Sequence, residues 1–189
     1  MTLKLNGTTS GSVSLDAPAT GSNVSFTLPG SVGTSGQLLS TNGSGVLSFV
    51  NGGKILQVVR ATDTTDRTTT STSLVDVTGM SVTITPQRST SALLIIMSAG
   101  IQSVGTNGWV LFGLTDSSNN KLSGAQDAYF QDDAGSNIAS QQTLIAYVTP
   151  ATTSAVTYKA RFRSKSASQT ATFTNSLITG QMYAIEVAA

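Results

Sequence analysis

Hydrophobic and polar residues alternate in short segments along the first fifty residues of the chain, and turn-forming residues separate the segments. Alternation with a period of two is typical of a strand with one buried face, whereas clusters of Gly, Asn, Ser and Pro are typical of turns. No stretch of the chain keeps an apolar stripe at helical spacing. We therefore predict an all-β protein whose first region carries short strands at residues 3–5, 13–15, 24–28, 38–39 and 46–49.

The first region, residues 1–52, has too few apolar side chains to fold as a single copy. Each of its strands offers two or three of them, and burying one contributes about 1.5–3 kcal/mol. Ordering the backbone costs about 1–2 kcal/mol for every residue. Folding becomes favourable if three chains intertwine, so that the apolar face of each meets two copies of itself. We predict an intertwined β stalk in a homotrimer; the alternative is a disordered linker tail.

The second region, residues 53–189, is long enough and apolar enough to bury a core of its own. Met80, Val82 and Ile84 alternate with polar residues, which predicts a strand with one solvated face. Residues 93–97 are continuously apolar, as in a central strand covered on both sides. Such short strands joined by turns predict a two-sheet, jelly-roll-like β-sandwich. The predicted strands lie at residues 54–62, 67–77, 80–86, 91–102, 109–116, 126–131, 141–149, 155–166, 169–176 and 181–188.

The composition narrows the possible chemistry. Of the 189 residues, 27 are Ser, 29 are Thr and 19 are charged, while Cys and His are absent. Their absence removes the commonest nucleophile, the commonest general base and the best zinc ligands. We accordingly predict a protein that is not an enzyme, with no catalytic residue, no cofactor and no metal.

Charge and hydropathy also limit the possible partners. The net charge of +1 gives no reason to expect nucleic-acid binding. The longest apolar run, residues 92–97, is far shorter than the ~20 residues that span a bilayer. The start of the chain lacks the apolar segment of a signal peptide. We expect no membrane insertion, and synthesis in the cytoplasm of the cell that makes the protein.

Two stretches of the chain resemble proteins of tailed bacteriophages. Residues 33–49 read GTSGQLLSTNGSGVLSF and look like the pattern G-x-x-G-Q-x-L-x-T-x-G-x-G-x-L-x-(Trp/Phe) of tail-fibre and fibre-like proteins. Residues 11–29 resemble the strand-turn-strand units that precede it. The second region is similar to a domain of marine, cyanophage-like virion proteins. The matching segments are residues 55–59, 68–73, 82–86 and 150–154.

The resemblance implies a virion location, a homotrimer assembled in the host cytoplasm, and contacts with other virion proteins of capsid or tail. Residues 1–52 are then either the β stalk or a region that docks on another virion protein, and residues 53–189 form the head domain. No large anchoring domain, coiled coil or chaperone tail is recognisable, which favours a short fibre, a spike tip or a capsid-surface protein; we predict a short fibre or spike displayed on the particle. Host-surface polysaccharide is then a candidate ligand. Two alternatives stay open. One is a capsid decoration protein that stabilises the shell, and the other is a non-viral carbohydrate-binding β-sandwich module.

Four cations recur at every second position of one predicted strand. Lys159, Arg161, Arg163 and Lys165 should therefore share one strand face. Three roles are open to this basic row. It binds anionic sugars or phosphates, which suit Arg forks; it forms a charged sheet edge that blocks aggregation; or it pairs with acidic residues of a neighbouring subunit. We favour the two structural roles. The acidic candidates are Asp127, Asp132 and Asp133.

Aromatic residues provide further candidates for an interface or ligand site. Trp109 is the only tryptophan and begins an apolar strand. We favour a place in the core, with a sugar site or an interface as alternatives. Tyr129 and Phe130 are candidates to line a loop-borne pocket or to pack against a trimer neighbour. Residues 132–137 are rich in oxygen ligands but lack the spacing of a calcium-binding EF-hand loop.

Overall fold

The computed structural model describes residues 3–6, 12–15, 25–125, 127–132, 137 and 139–188. The chain divides into two compact units, Met1–Gly52 and Gly53–Ala189. Within the described residues no helix is long and apolar enough to cross a membrane. The strands are β1 (Leu3–Asn6), β2 (Ser12–Leu15), β3 (Gln37–Thr41), β4 (Leu47–Asn51), β5 (Ile55–Asp63), β6 (Arg67–Thr69), β7 (Val75–Ile84), β8 (Ala92–Val104), β9 (Gly108–Asp116), β10 (Ala128–Asp132), β11 (Ala139–Val148), β12 (Val156–Ser164), β13 (Thr170–Phe173) and β14 (Gly180–Val187).

The first unit contains two separate antiparallel hairpins. β1 pairs with β2 and β3 pairs with β4, each pair forming a two-stranded sheet. Of the strand predicted at residues 24–28, residue 24 lies outside the described residues, and residues 25–28 form one parallel bridge, between Thr27 and Val46. A two-stranded hairpin is marginally stable by itself in water, because it has no second layer to bury its apolar face.

The second unit is a β-sandwich of two antiparallel sheets, as the alternating pattern predicted. One sheet has the strand order β10-β9-β12-β7. In the other, β8 is central, with β11 along one side and β14 and β13 along the other. Setting aside the short β6 and β13, the sheets read β5-β14-β8-β11 and β7-β12-β9-β10, and most connections cross between them. This is the strand order of a jelly roll.

The core lies between the two sheets, where one face of each strand is apolar. Phe173 lies near the middle of it, with its ring centroid 5.1 Å from that of Phe162 and 6.3 Å from that of Phe112, both edge to face. Along β8 the odd-numbered residues are buried, whereas Leu94 and Ile96 point outward and stay partly exposed. The sequence predicted that β8 is buried on both faces, but in one copy of the chain only its inward face is fully buried.

A β-bulge interrupts β7 and explains why the sequence suggested two strands there. Val77 and Met80 are both buried although they are three residues apart, and Gly79 between them has a φ of 88°. The register with β12 shifts at the same place, between Lys159 and Arg161. From Ser81 to Asp76 β7 covers five residues where β12 covers two, so β7 carries three extra residues here. Because three is an odd number, the inward alternation is restored beyond the bulge. The predicted strands 67–77 and 80–86 are in fact the short β6 and the long, bulged β7.

Candidate functional site

The basic row lies on the outward face of β12. Lys159, Arg161 and Arg163 alternate with the buried residues Ala160 and Phe162, because successive side chains of a strand point to opposite faces. Lys165 follows the end of the strand, and its ammonium group donates a hydrogen bond to the carbonyl of Asn107 at 2.8 Å. Three of the four predicted cations thus share one regular strand face.

The expected charged sheet edge is wrong. β12 is hydrogen-bonded to β9 along one side and to β7 along the other. It therefore presents no free row of backbone donors and acceptors for another chain to pair with. In the part of this sheet that the structure describes, β10 and β7 are the outer strands.

Asp76 on β7 is the carboxylate partner of two cations. It accepts hydrogen bonds from Lys159 Nζ at 2.9 Å and from Arg161 Nε at 2.8 Å. The bond from Lys159 is the main reason why the pKa of Asp76 lies below its ordinary value, and it outweighs the opposing effect of burial. The sequence suggested partners on a neighbouring subunit, whereas Asp76 supplies one within the same chain.

The acidic residues proposed for that role lie elsewhere or outside the described residues. Asp127 forms an ion pair with Lys121 of its own chain. Asp132 ends β10, but its side chain is outside the described part, and Asp133 is outside it altogether. The proposed oxygen-rich segment 132–137 also falls largely outside. Among the described residues, no three acidic side chains lie where they could hold a metal ion together.

Trp109, Tyr129 and Arg163 come together on the outward face of the four-stranded sheet. They line a depression of about 380 Å³ with Leu111 and Gln131. Three adjacent strands supply these residues: Tyr129 and Arg163 both lie opposite Leu111, and Gln131 lies opposite Trp109. The guanidinium carbon of Arg163 is 4.6 Å from the centre of the Trp109 ring, which is a cation–π contact. We call this feature the sheet depression.

The structure corrects two expectations about the aromatic residues. Trp109 is not in the core but on the outward face, because its neighbours Val110 and Phe112 occupy the inward positions of β9. Phe130 packs against the core while Tyr129, next to it, points outward and is 66% exposed. The predicted pocket is therefore on a strand instead of a loop, and only Tyr129 of the pair lines it.

Arg163 differs from the other cations of β12 in its surroundings. Its Nη1 donates a long hydrogen bond of 3.4 Å to the carbonyl of Ser164. None of the carboxylates whose side chains the structure describes forms an ion pair with it. The Arg163 guanidinium therefore keeps hydrogen-bond donors that no described carboxylate engages.

Two buried carboxylates, Asp63 and Glu186, were not recognised from the sequence. Asp63 is paired with Arg67, and Glu186 accepts hydrogen bonds from Gln57 and from the backbone of Gln87. Signals for both exist in the sequence. Asp63 and Arg67 are opposite charges four residues apart across a turn. Glu186 occupies an inward position of the last predicted strand.

Comparisons with known proteins identify no family for the chain. No family model matches it, and no curated protein does. A solved structure that resembles it is the "Structure of infectious bursal disease virus Gx strain", with 10% identity, a TM-score of 0.39, and coverage of 76% of this chain and 34% of that one. The chain thus spans about a third of the length of that viral chain. At this TM-score the likeness carries no argument about function.

Proposed function

We propose that the chain is a non-enzymatic structural protein of a bacteriophage virion, a homotrimeric short fibre or spike displayed on the particle. The virion assignment is supported by the resemblance of residues 33–49 to fibre proteins. The trimer is supported by apolar surface that each unit leaves exposed in a single copy. One feature carries this part of the proposal, an apolar row across the six-stranded sheet.

The apolar row consists of Tyr147, Leu94, Ile185 and Val58, which lie directly opposite one another on four adjacent strands. Tyr147 is 62% exposed and Val58 is 55% exposed, so the row ends in open apolar side chains on both sides. An outward sheet face is ordinarily polar. An apolar row across its full width marks a surface that another protein covers.

The first unit also leaves apolar side chains exposed in a single copy. Between residues 25 and 50 no residue is buried, and the side chain of Val32 is 96% exposed. Phe26 and Leu28 are also mostly exposed. The β3–β4 hairpin, without a buried residue in the described stretch, gains stability when other chains supply the missing apolar contacts.

A second copy of this chain is the occupant that fits the apolar row. The apolar row carries no charge. The next outward pair along β14 and β5 is Tyr183 and Arg60, and the guanidinium of Arg60 lies 5.7 Å from the ring centre of Tyr183. Such a face packs around a threefold axis against other copies of itself without charge repulsion. Both units gain apolar contacts from the same association, which favours identical partners over an unrelated one.

The non-enzymatic assignment is supported by how the described carboxylates are used. Asp63, Asp76 and Glu186 are each held by hydrogen bonds that join strands or loops of the sandwich. Asp116 accepts hydrogen bonds within the turn that follows β9. Each has a structural role, and each has a lowered pKa, whereas a general acid at neutral pH needs a raised one.

The mass of the native protein in solution tests the trimer. Sedimentation of the full chain should give three times the subunit mass of 19.3 kDa. Tyr147→Lys, which places a charge in the apolar row, should shift the protein toward a single subunit. Leu177→Lys is the matched control, because Leu177 is a large apolar residue that is 76% exposed but lies in the turn before β14. A wild-type protein that sediments as one subunit would refute the trimer.

Removal of residues 1–52 separates the contributions of the two units. If the row of the second unit suffices, the shortened chain remains trimeric, though more weakly. If Tyr147→Lys leaves the mass unchanged while truncation reduces it to one subunit, a second copy does not occupy the row. In that case another protein covers the row, and this part of the proposal is wrong.

Labelling of intact particles discriminates between the viral alternatives. An antibody against the chain should mark fibres or spikes at the tail under the proposed function. Label spread over the capsid face would favour a decoration protein that stabilises the shell. A monomer that binds sugars and has no place on any particle would favour the carbohydrate-binding module.

A further inference from the structure

We propose that the sheet depression binds an acidic saccharide, with Arg163 on its carboxylate or sulfate group and Tyr129 against the sugar ring. The inference rests on the proposed function only for its biological setting, a protein displayed toward a host surface. The site itself is argued from the five residues that line it and from their neighbours.

The side chain of Arg163 is pre-oriented to bind an anionic group. Its guanidinium lies against the Trp109 ring, and this contact restricts the side chain before any ligand arrives. The planar fork of an arginine presents two parallel donors that match the two oxygens of a carboxylate or sulfate. The depression therefore has one oriented cation at one of its sides.

Tyr129 supplies an apolar surface at the other side. Its ring is two-thirds exposed and lies on β10, two strands away from Arg163. Neighbouring strands are about 4.8 Å apart, so the two side chains arise about 10 Å from each other. Leu111 forms the apolar floor between them, since it lies opposite both. A row of aromatic ring, apolar floor and guanidinium suits an oligosaccharide that carries an acidic group.

The neighbouring cations are not equivalent to Arg163. Lys159 and Arg161 are engaged by Asp76, and Lys165 is bound to the carbonyl of Asn107. Anion binding by the basic row should therefore concentrate at Arg163. This separates a specific site from general attraction to a basic surface, which would involve all four cations alike.

The lining residues lie on hydrogen-bonded strands of the four-stranded sheet. Trp109 and Leu111 belong to β9, Tyr129 and Gln131 to β10, and Arg163 to β12. Because strands fix side-chain directions better than loops do, binding orders little of the protein. The affinity of a single site is expected to be weak, and a trimer would raise it by presenting three sites together.

Binding of three hexasaccharides to the full chain tests the site. The probes are a galacturonate hexamer, a sulfated maltohexaose and plain maltohexaose, and calorimetry or ligand-detected NMR gives the dissociation constants. We expect at least one acidic probe to bind at least tenfold more tightly than plain maltohexaose, and the better of the two identifies the preferred anion. Equal affinity for all three, or no binding of either acidic probe, would overturn the proposal.

Two variants and a matched control locate the binding. Arg163→Gln and Tyr129→Ala should each weaken binding of the acidic probe at least tenfold. Arg161→Gln removes the same charge from the same strand face but lies outside the depression, and it should change the affinity less than twofold. Equal losses in Arg161→Gln and Arg163→Gln would show non-specific attraction and refute the site. Because Tyr129 is 66% exposed, its truncation should leave folding intact.

Sedimentation of the same samples keeps this inference separate from the proposed function. Variants that lose the sugar but remain trimeric support the site within the trimer. Sugar binding by a protein that sediments as one subunit would refute the trimer and support the site. A trimer that binds none of the acidic probes would refute the site and leave the structural role supported.

Discussion

Arg67 and Asp63 form a two-point ion pair that closes the turn between β5 and β6. Nε and Nη2 of Arg67 donate to the two carboxylate oxygens at 2.9 and 3.0 Å. Nδ2 of the buried Asn175 donates to the same carboxylate at 3.1 Å, which ties in the loop after β13. The bond from Arg67 is the main reason why the pKa of Asp63 is below its ordinary value. One carboxylate thus joins three segments of the second unit.

Gly79→Ala should destabilise the second unit through this ion pair. Gly79 has a φ of 88°, and a Cβ there would lie 2.8 Å from Cγ of Asp63. The left-handed backbone costs an alanine about 1–2 kcal/mol, and displacement of Asp63 adds to it. Gly124→Ala is the matched control, because its φ is 83° but the nearest atom to its Cβ is 3.4 Å away. Urea unfolding should show the larger loss for Gly79→Ala, and equal losses would contradict the role of Asp63.

Glu186→Gln should lower the free energy of unfolding by about 1–3 kcal/mol. Glu186 is fully buried and accepts hydrogen bonds from Gln57 Nε2 at 2.6 Å and from the backbone N–H groups of Gln87 and Arg88 at 2.8 and 3.3 Å. The side-chain amide of a glutamine would place its own NH₂ donor against these N–H groups, which now donate to a carboxylate. Urea denaturation measures the difference. Gln87→Ala keeps the backbone donor, so it should cost less than about 1 kcal/mol; a cost as large as that of Glu186→Gln would argue against this explanation.

Stability should fall at acid pH, in the range where these carboxylates protonate. Burial raises the pKa of Glu186, but the hydrogen bonds from Gln57 and from the backbone of Gln87 outweigh it, so the net pKa is lowered, as it is for Asp63. The unfolded carboxyls titrate near ~3.9 for Asp and ~4.3 for Glu. Below these values the unfolded chain binds more protons, so stability is lost as the pH falls through the folded pKa.

The urea midpoint should therefore be nearly constant between about pH 7 and about pH 5 and should fall below about pH 4. Asp63→Asn should be less stable than the wild type at neutral pH and should show a shallower decline on acidification. A midpoint that rises as the pH falls from 5 to about 3 would contradict the lowered pKa values.

Most of the second unit's strands could be predicted because the core takes every second side chain. β8, β9, β12 and β14 follow the alternation closely, and their ends differ from the predictions by two residues or fewer. The prediction failed at β7, where the bulge around Gly79 breaks the alternation without ending the strand. It failed also at residues 25–28, where the side chains of Phe26 and Leu28 have no sheet to cover in a single copy.

The candidate site was only partly predictable, because it depends on which strands are neighbours. The shared face of Lys159, Arg161 and Arg163 follows from spacing alone. Their separation into two cations paired with Asp76 and one stacked on Trp109 depends on the order β10-β9-β12-β7, which local patterns do not determine. Hydrophobicity predicts Trp109 in the core, whereas the structure places it on the outward face with Leu111. Because β9 is apolar at both parities, its sequence does not distinguish the two faces.

Asp76→Asn should cost about 1 kcal/mol at low salt, and the cost should nearly vanish at about 1 M salt, where exposed charges are screened. The Asp76 side chain is 48% exposed, so its ion pairs with Lys159 and Arg161 contribute little individually. Removing it leaves three cations in a row on β12, and their mutual repulsion is the part that salt should suppress.

Urea unfolding at about 0.1 M and about 1 M salt measures this difference. Asp127→Asn, which removes the partner of the single cation Lys121, should show a smaller salt effect. A loss from Asp76→Asn that is independent of salt would mean that Asp76 acts through packing or hydrogen bonding rather than through its charge.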